Sequence, residues 1–214
     1  MTVRRKLFLL ALVVLPACEP GAKDASMALL EPPMQAYWQS AAIPQGGTFE
    51  FKDDQLTLHP GKPMTGVKFD GWAAEKLPVT SYEIIFEARR VEGSDFFAAL
   101  TFPVRKVGTC ATLVLGGWGG ALVGISSIDD QDASENSTRS EQTFINGQWY
   151  RIRLQVKDEE LQAWIDERLV VNTSIKGRTI SLRPGDIEKC APFGLASFRS
   201  EGQVRGLTVR KLQL

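Results

Sequence analysis

Two neighbouring stretches hold most of the residue types that could do chemistry. The first, Gly116-Gly-Trp-Gly-Gly120, sets one indole between two glycine pairs. Glycine pairs permit a tight turn that side chains would block, and they leave Trp118 room to present a flat apolar surface. Such a surface stacks on the C–H face of a sugar ring. The competing reading is an indole buried at a bulge, because tryptophan is largely buried in most folds. The second stretch gathers Asp129, Asp130, Asp132 and Glu135 with Ser134 and Asn136. So many carboxylates repel one another unless a cation, an arginine or water offsets them. Three readings stay open for this loop: a solvated surface loop, a site for sugar hydroxyls, or a Ca²⁺ site. Its spacing lacks the glycine and distal glutamate of an EF-hand frame, so the metal is unassigned. Glycosidic cleavage would need two of these carboxylates facing each other across a cleft. Proton abstraction beside a ketone would need one of them with a raised pKa and an oxyanion donor nearby.

The elements that must position these groups are strands. After residue 46 the chain alternates with period two and is punctuated by Gly, Pro, Asn and Asp, with no amphipathic helix of ten residues to compete. In Tyr82–Arg89 the residues Tyr82, Ile84, Phe86 and Ala88 share one face, and Glu83, Glu87 and Arg89 the other. In Trp149–Val156 the residues Tyr150, Ile152, Leu154 and Val156 point inward, leaving Trp149, Arg151 and Arg153 outside. Hairpins are expected at Asp158-Glu159 and Asp166-Glu167, with Leu161, Ala163 and Ile165 inward and Trp164 on the polar side with Gln162. Arg151 and Arg153 then share an outer face with Trp164, either as cross-strand salt-bridge partners of Glu83 and Glu87 or as part of a carbohydrate groove. Many strands with one apolar face each predict an all-β fold of two antiparallel sheets packed face to face.

The chain has 214 residues, with 25 basic and 25 acidic side chains in balance. That length suits one large β domain, and the absence of a clustered cationic excess argues against a nucleic-acid partner. Met1-Thr-Val-Arg-Arg-Lys6, the apolar run Leu7–Leu15 and Pro16-Ala17-Cys18 read as a charged n-region, an h-region and a cleavage site. Leu15-Pro16-Ala17-Cys18 resembles a bacterial lipobox, which implies a signal peptide over 1–17, lipidation of Cys18, and an exported, membrane-anchored protein on the periplasmic or cell-surface side. Removing Arg4, Arg5 and Lys6 leaves 22 basic against 25 acidic residues, a charge of −3. Residues 18–46 read as a lipidated tether and 47–214 as the folded domain, with a short helical turn allowed at Met27–Leu30. Cys110 and Cys190 remain, as a disulfide or as two buried thiols. The single histidine, His59, ends a strand pattern and gives no support to a Cys-His nucleophile or a zinc cluster.

Gly147–Val156, Leu161–Asp166 and Leu169–Val171 together resemble the tryptophan-bearing hairpin of concanavalin A-like jelly rolls. Within that superfamily the stretch from about Gly47 to Leu214 is most similar to the 3-keto-disaccharide hydrolase domain, also described as a 3-keto-glucoside lyase or hydratase. Trp164 falls where that family has its hairpin tryptophan, and Asp166 where it usually has Asn. The family's Glu-x-Gln-x-x-Asp strand corresponds here to Val123–Asp130, so Gly124 and Ser126 replace the Glu and Gln, and Asp129 alone matches. Its Asn-Ser-Gly strand start is replaced by Ser94-Asp-Phe-Phe97. The resemblance implies a carbohydrate-active domain acting on 3-keto-glycosides, which the lipobox would tether to a surface; for such an enzyme Asp129 is the expected general acid or base, with Asp132 or Glu135 of the same acidic loop assisting. Carbohydrate would be held by Trp118, Asn136, Arg151 and Trp164. The two replacements equally fit a non-catalytic carbohydrate-binding or laminin-G-like adhesion module, and a structural envelope lipoprotein is the third reading.

Overall fold

The structure is a computed structural model and describes residues 26–213. Among them, fifteen strands run in chain order. They are β1 Met27–Ala28, β2 Trp38–Ser40, β3 Phe49–Lys52, β4 Gln55–Leu58 and β5 Met64–Phe69. Then come β6 Tyr82–Gly93, β7 Ala99–Val104, β8 Lys106–Gly116, β9 Leu122–Ser126 and β10 Ser140–Glu141. The last are β11 Tyr150–Val156, β12 Glu160–Ile165, β13 Arg168–Ser174, β14 Gly194–Phe198 and β15 Ser200–Lys211. The paired strands are antiparallel and form two sheets. One runs β13-β12-β11-β6-β15-β4-β3 with β1 added to β15, and the other runs β10-β9-β8-β7-β14-β5-β2. This is the two-sheet antiparallel sandwich that the alternating pattern predicts, in the jelly-roll form that the resemblance implies.

The predicted faces are observed. Tyr82, Ile84, Phe86 and Ala88 are buried, as are Tyr150, Ile152, Leu154 and Val156 and their partners Leu161, Ala163 and Ile165. They meet Leu100, Leu113, Leu115, Ile125 and Leu195 from the other sheet in one core. The turns follow local chemistry. Asp166 and Glu167, at φ 47° and 65°, join β12 to β13, and Asp53 and Asp54, at φ 50° and 56°, join β3 to β4. Two successive left-handed residues match the right-handed twist of the strands they connect.

The expected boundary at residue 47 is corrected. Met27 and Ala28 pair with Val209 and Thr208, Trp38–Ser40 pair with Phe69–Val67, and Leu29, Leu30 and Trp38 are buried in the core. Residues 27–46 therefore belong to the sandwich, and Met27–Leu30 opens as a strand rather than a helical turn. Prolines at 32 and 33 read as a linker, but the apolar Leu29-Leu30 pair and the Trp38 indole, whose Nε1 donates to the Leu29 carbonyl at 2.8 Å, anchor the segment. Cys18 lies outside the described residues.

The centre of the second sheet is covered on both faces. Every residue of β7 and β9 is buried. On the outer side Ala41, Ile43, Met64, Ala99, Cys190 and Ala196 form a second small cluster. A segment containing a 3-10 turn at Asp186–Cys190 lies over it, with the Cys190 sulfur against Gly66. A Cβ built on Gly66 would come within 2.9 Å of that sulfur, so the close approach depends on glycine there.

Candidate functional site

Trp118 sits in the turn between β8 and β9. Gly116, Gly119 and Gly120 have φ of 79°, 91° and 106°, and Trp118 itself is left-handed at φ 49°. A left-handed tryptophan costs about 1 kcal/mol or more and persists only where its surroundings over-determine it. Here Gly119 N–H donates to Asp95 Oδ2 at 3.1 Å, and a side chain on Gly120 would meet the Ser94 carbonyl at 2.9 Å. The turn holds the indole outward, 43% exposed. Of the two readings open for Trp118, the structure selects the presented surface.

The indole stands at the mouth of a groove of about 350 Å³ on the outer face of the second sheet. Ala99, Thr112, Val114 and Ser126, from β7, β8 and β9, supply its floor. Phe96 and Phe198 line it with their rings 5.5 Å apart, and Arg183, Asp186 and Ile187 line it from the covering segment. The Arg183 guanidinium lies 5.5 Å from the Trp118 ring centroid and its Nε is 3.5 Å from Asp132 Oδ2. Asp95, also in the lining, has both oxygens engaged: Oδ1 accepts from Phe96 N–H at 2.8 Å and Oδ2 from Gly119. Asp186 pairs with Lys189 at 2.8 Å.

The acidic loop touches that lining through the Asp132 contact to Arg183, and each of its groups has a structural partner. Asp129 accepts from Thr179 N–H at 2.8 Å and from the Arg178 guanidinium. The Thr179 amide first, and Arg178 after it, holds the carboxyl below the usual aspartate range. Because the folded-state pKa is lowered, this latch is present above the ordinary aspartate pKa and is lost as pH falls through the depressed value. Acid titration followed by hydrogen exchange is expected to open residues 127–132 before the core, and Asp129→Asn to open them at neutral pH. Identical exchange in both proteins at every pH would refute the latch.

Asp130 accepts from Ser181 at 3.3 Å. Asp132 Oδ1 accepts from both the amide and the hydroxyl of Ser134, at 2.8 and 2.6 Å, and Glu135 accepts from Asp132 N–H at 3.3 Å. Asn136, expected as a ligand contact, is 6% exposed with its polar atoms consumed. Its Nδ2 donates to the carbonyls of Ile125, Gln131 and Asp132, and its Oδ1 accepts from Thr138 N–H and Oγ1. Among the described residues no three His, Cys, Asp or Glu groups converge as a metal site, so the Ca²⁺ reading finds no ligand set. The carboxylates are spent on arginine, hydroxyl and backbone partners. None of the expected trio Asp129, Asp132 and Glu135 is among the residues that line the groove.

Trp164 and Arg151 lie on the far side of the molecule. Both belong to the first sheet, on its outer face, where Arg153 packs 3.6 Å over the Trp164 ring and Arg89 and Arg205 bracket Trp149 at 4.6 and 4.1 Å. Glu83 ties this face together by pairing with Arg153 and accepting from Gln155 and Arg210. The ladder reading of the arginines is the observed one, although Arg151 takes no part: it stands across from Glu87, which pairs with Arg205 instead. The single groove combining Trp118 with Trp164 and Arg151 is thereby corrected, because opposite outer faces of a sandwich cannot converge. Cys110 and Cys190 are free. Burial pushes their thiols up to about 11 and 12, which suits two inert packed sulfurs. Sequence reasoning missed Asp95, Phe96, Arg183, Ile187 and Phe198. The signal was present in the unbroken small and apolar run Phe97-Ala-Ala-Leu-Thr-Phe102, which marks a strand covered on both faces.

No protein-family model matches the chain, and no curated protein matches it in sequence. Solved structures do. The carbohydrate-binding module CBM66 from Bacillus subtilis superposes with a TM-score of 0.51 at 13% identity, over 82% of this chain and 96% of that one. Domain 4 of the extracellular GH43 arabinanase AbnA from Geobacillus stearothermophilus, solved with arabinotriose, gives 0.51 at 13% identity, over 83% of each chain. The Crh5 transglycosylase gives 0.56 at 8% identity, over 88% of this chain and 84% of that one. The chain is a jelly-roll sandwich of the kind these proteins share. At such identities the likeness concerns architecture, since one fold hosts many functions.

Proposed function

We propose that this protein is a carbohydrate-binding sandwich whose ligand docks in the groove beneath Trp118. The observation that carries the reading is an indole forced outward by a left-handed glycine turn at the mouth of a built hollow, with a guanidinium beside it. An exposed ring that the fold strains to present is a poor core residue and a good stacking platform. Arg183, which keeps donors free beyond its Nε contact to Asp132, would bond ring or exocyclic oxygens. The carbohydrate-binding module CBM66 and the arabinanase domain solved with arabinotriose share this architecture, which is in keeping with this role. Hydrolase or lyase chemistry on 3-keto-glycosides ranks second. It requires a carboxylate able to trade a proton with the ligand, whereas Asp129 is latched outside the groove, Asp95 has both oxygens occupied and Asp186 is ion-paired with Lys189.

The anchored setting inferred from Cys18 belongs to the same proposal. Residues 19–26 separate that cysteine from β1, a reach of at most about 30 Å. β1 pairs near the Lys211 end of β15, while the Trp118 turn packs by Arg90 and Ser94, near its Ser200 end. A lipid at Cys18 would thus hold the sandwich close to a membrane with the groove mouth turned away from it.

A glycan array followed by calorimetry tests the reading. Saturable binding is expected without turnover, unchanged by EDTA, and weakened about 30-fold or more in Trp118→Ala, the loss typical of a stacked anchor. Trp164→Ala is expected to bind normally. Loss in Trp164→Ala with full binding in Trp118→Ala would move the site to the opposite face, and no binding to any glycan would leave a structural envelope protein.

A further inference from the structure

We infer that the groove selects a sugar end carrying a methyl-terminated substituent, an acetamido or 6-deoxy group, over a plain hexose; this rests on the carbohydrate reading above. The floor and walls below the indole are apolar: Met64, Phe96, Ala99, Val114, Ile187 and Phe198 line them. Only Thr112 and Ser126 bring hydroxyls to the floor, where each is turned to one neighbouring hydroxyl, and the two lining carboxylates are held by other groups, Asp95 by two backbone N–H groups and Asp186 by Lys189. Thr112 Oγ1 lies 3.1 Å from Thr101 Oγ1, and Ser126 Oγ lies 3.4 Å from Ser127 Oγ. The free polar capacity sits at the rim with Arg183, which is 58% exposed.

Polar recognition is thus concentrated at the mouth while the depth offers little but carbon. A hydroxymethyl or ring hydroxyl driven into that depth exchanges its water shell for at most the remaining capacity of Thr112 or Ser126, and an under-bonded polar group is disfavoured. A methyl group in the same place buries apolar surface against Val114 and the two phenyl rings and gains on transfer from water. The volume, about 350 Å³, admits one pyranose ring with its substituent. The ring would lean on Trp118 with its remaining hydroxyls toward Arg183 and solvent, and its methyl-bearing group would point down.

Three oligosaccharides that differ only in the terminal residue, N-acetylglucosamine, L-fucose or D-glucose, test this by calorimetry. At least one of the first two is expected to bind tenfold or more tighter than the glucose-ended probe. Preference for only one identifies the group and still supports the proposal. Val114→Thr, nearly isosteric and checked by its melting temperature, places a hydroxyl in the floor and should shrink the preference severalfold. Equal affinity for all three ends, each lost in Trp118→Ala, would overturn the methyl selectivity while leaving carbohydrate binding intact. Failure of every probe and every array glycan would overturn both. An unaltered preference in folded Val114→Thr would show that the floor does not read the substituent.

Discussion

Asn136→Ala is expected to lower the unfolding free energy by about 3 kcal/mol, as several buried groups lose their partners at once. The wild-type amide answers the carbonyls of Ile125, Gln131 and Asp132 and receives Thr138. Alanine leaves those groups in a site that is 6% exposed, too closed for water to replace all of the bonds. Asn136→Asp is the sharper test. It preserves the shape and the acceptor toward Thr138, but it turns an oxygen toward three carbonyls, so it should destabilise at least as much as alanine. Denaturant midpoints at constant slope give the comparison. Hydrogen exchange should show the loss centred on 125–138, with glycan affinity falling only as the Asp132 contact to Arg183 loosens. A stable Asn136→Ala protein that has selectively lost ligand would restore the binding role first expected of this residue.

Glu83→Ala is expected to cost about 2–3 kcal/mol. Its carboxylate is 1% exposed although it sits on the outer face of β6, because Arg153, Arg210 and Gln155 close over it. Removing one partner of a fully buried ion pair costs about 3–5 kcal/mol. The lower figure follows because both guanidiniums keep contact with water and recover part of their hydration. Glu83→Gln should fall between, keeping the packing and a neutral acceptor. Thermal melts report the loss, and ligand binding at the opposite sheet is expected to be unchanged. A stability change below 0.5 kcal/mol in Glu83→Ala would mean that the arginine–tryptophan face carries little of the fold's stability, and a binding defect in that variant would couple two faces the structure keeps apart.

The alternation in Tyr82–Arg89 and Trp149–Val156 was readable because a strand turns its side chains to opposite sides at every residue, whatever else the chain does. The hairpins at Asp158-Glu159 and Asp166-Glu167 were legible for a similar local reason, since two residues must close each turn. Trp118 was legible too, because its flanking glycines announce an unusual backbone. Asn136 was harder. A buried, fully bonded amide and an exposed ligand contact have the same one-letter signature in a polar loop, and only the carbonyls brought around it separate them.

Local pattern therefore determined strands, inward faces and the two-layer architecture on its own. The assignment of each strand to a sheet was left to pairing between distant segments: β1 with β15, β2 with β5, and β6 between β11 and β15. That pairing drew residues 27–46 into the core and put Trp164 on one outer face and Trp118 on the other. It also folded Arg183–Ile187 over small side chains to make a hollow. Period-two spacing distinguishes inside from outside, but a sandwich has two outsides, and which of them a side chain occupies depends on pairing between segments far apart in the chain, as of Ala88 with Val204 and Met27 with Val209.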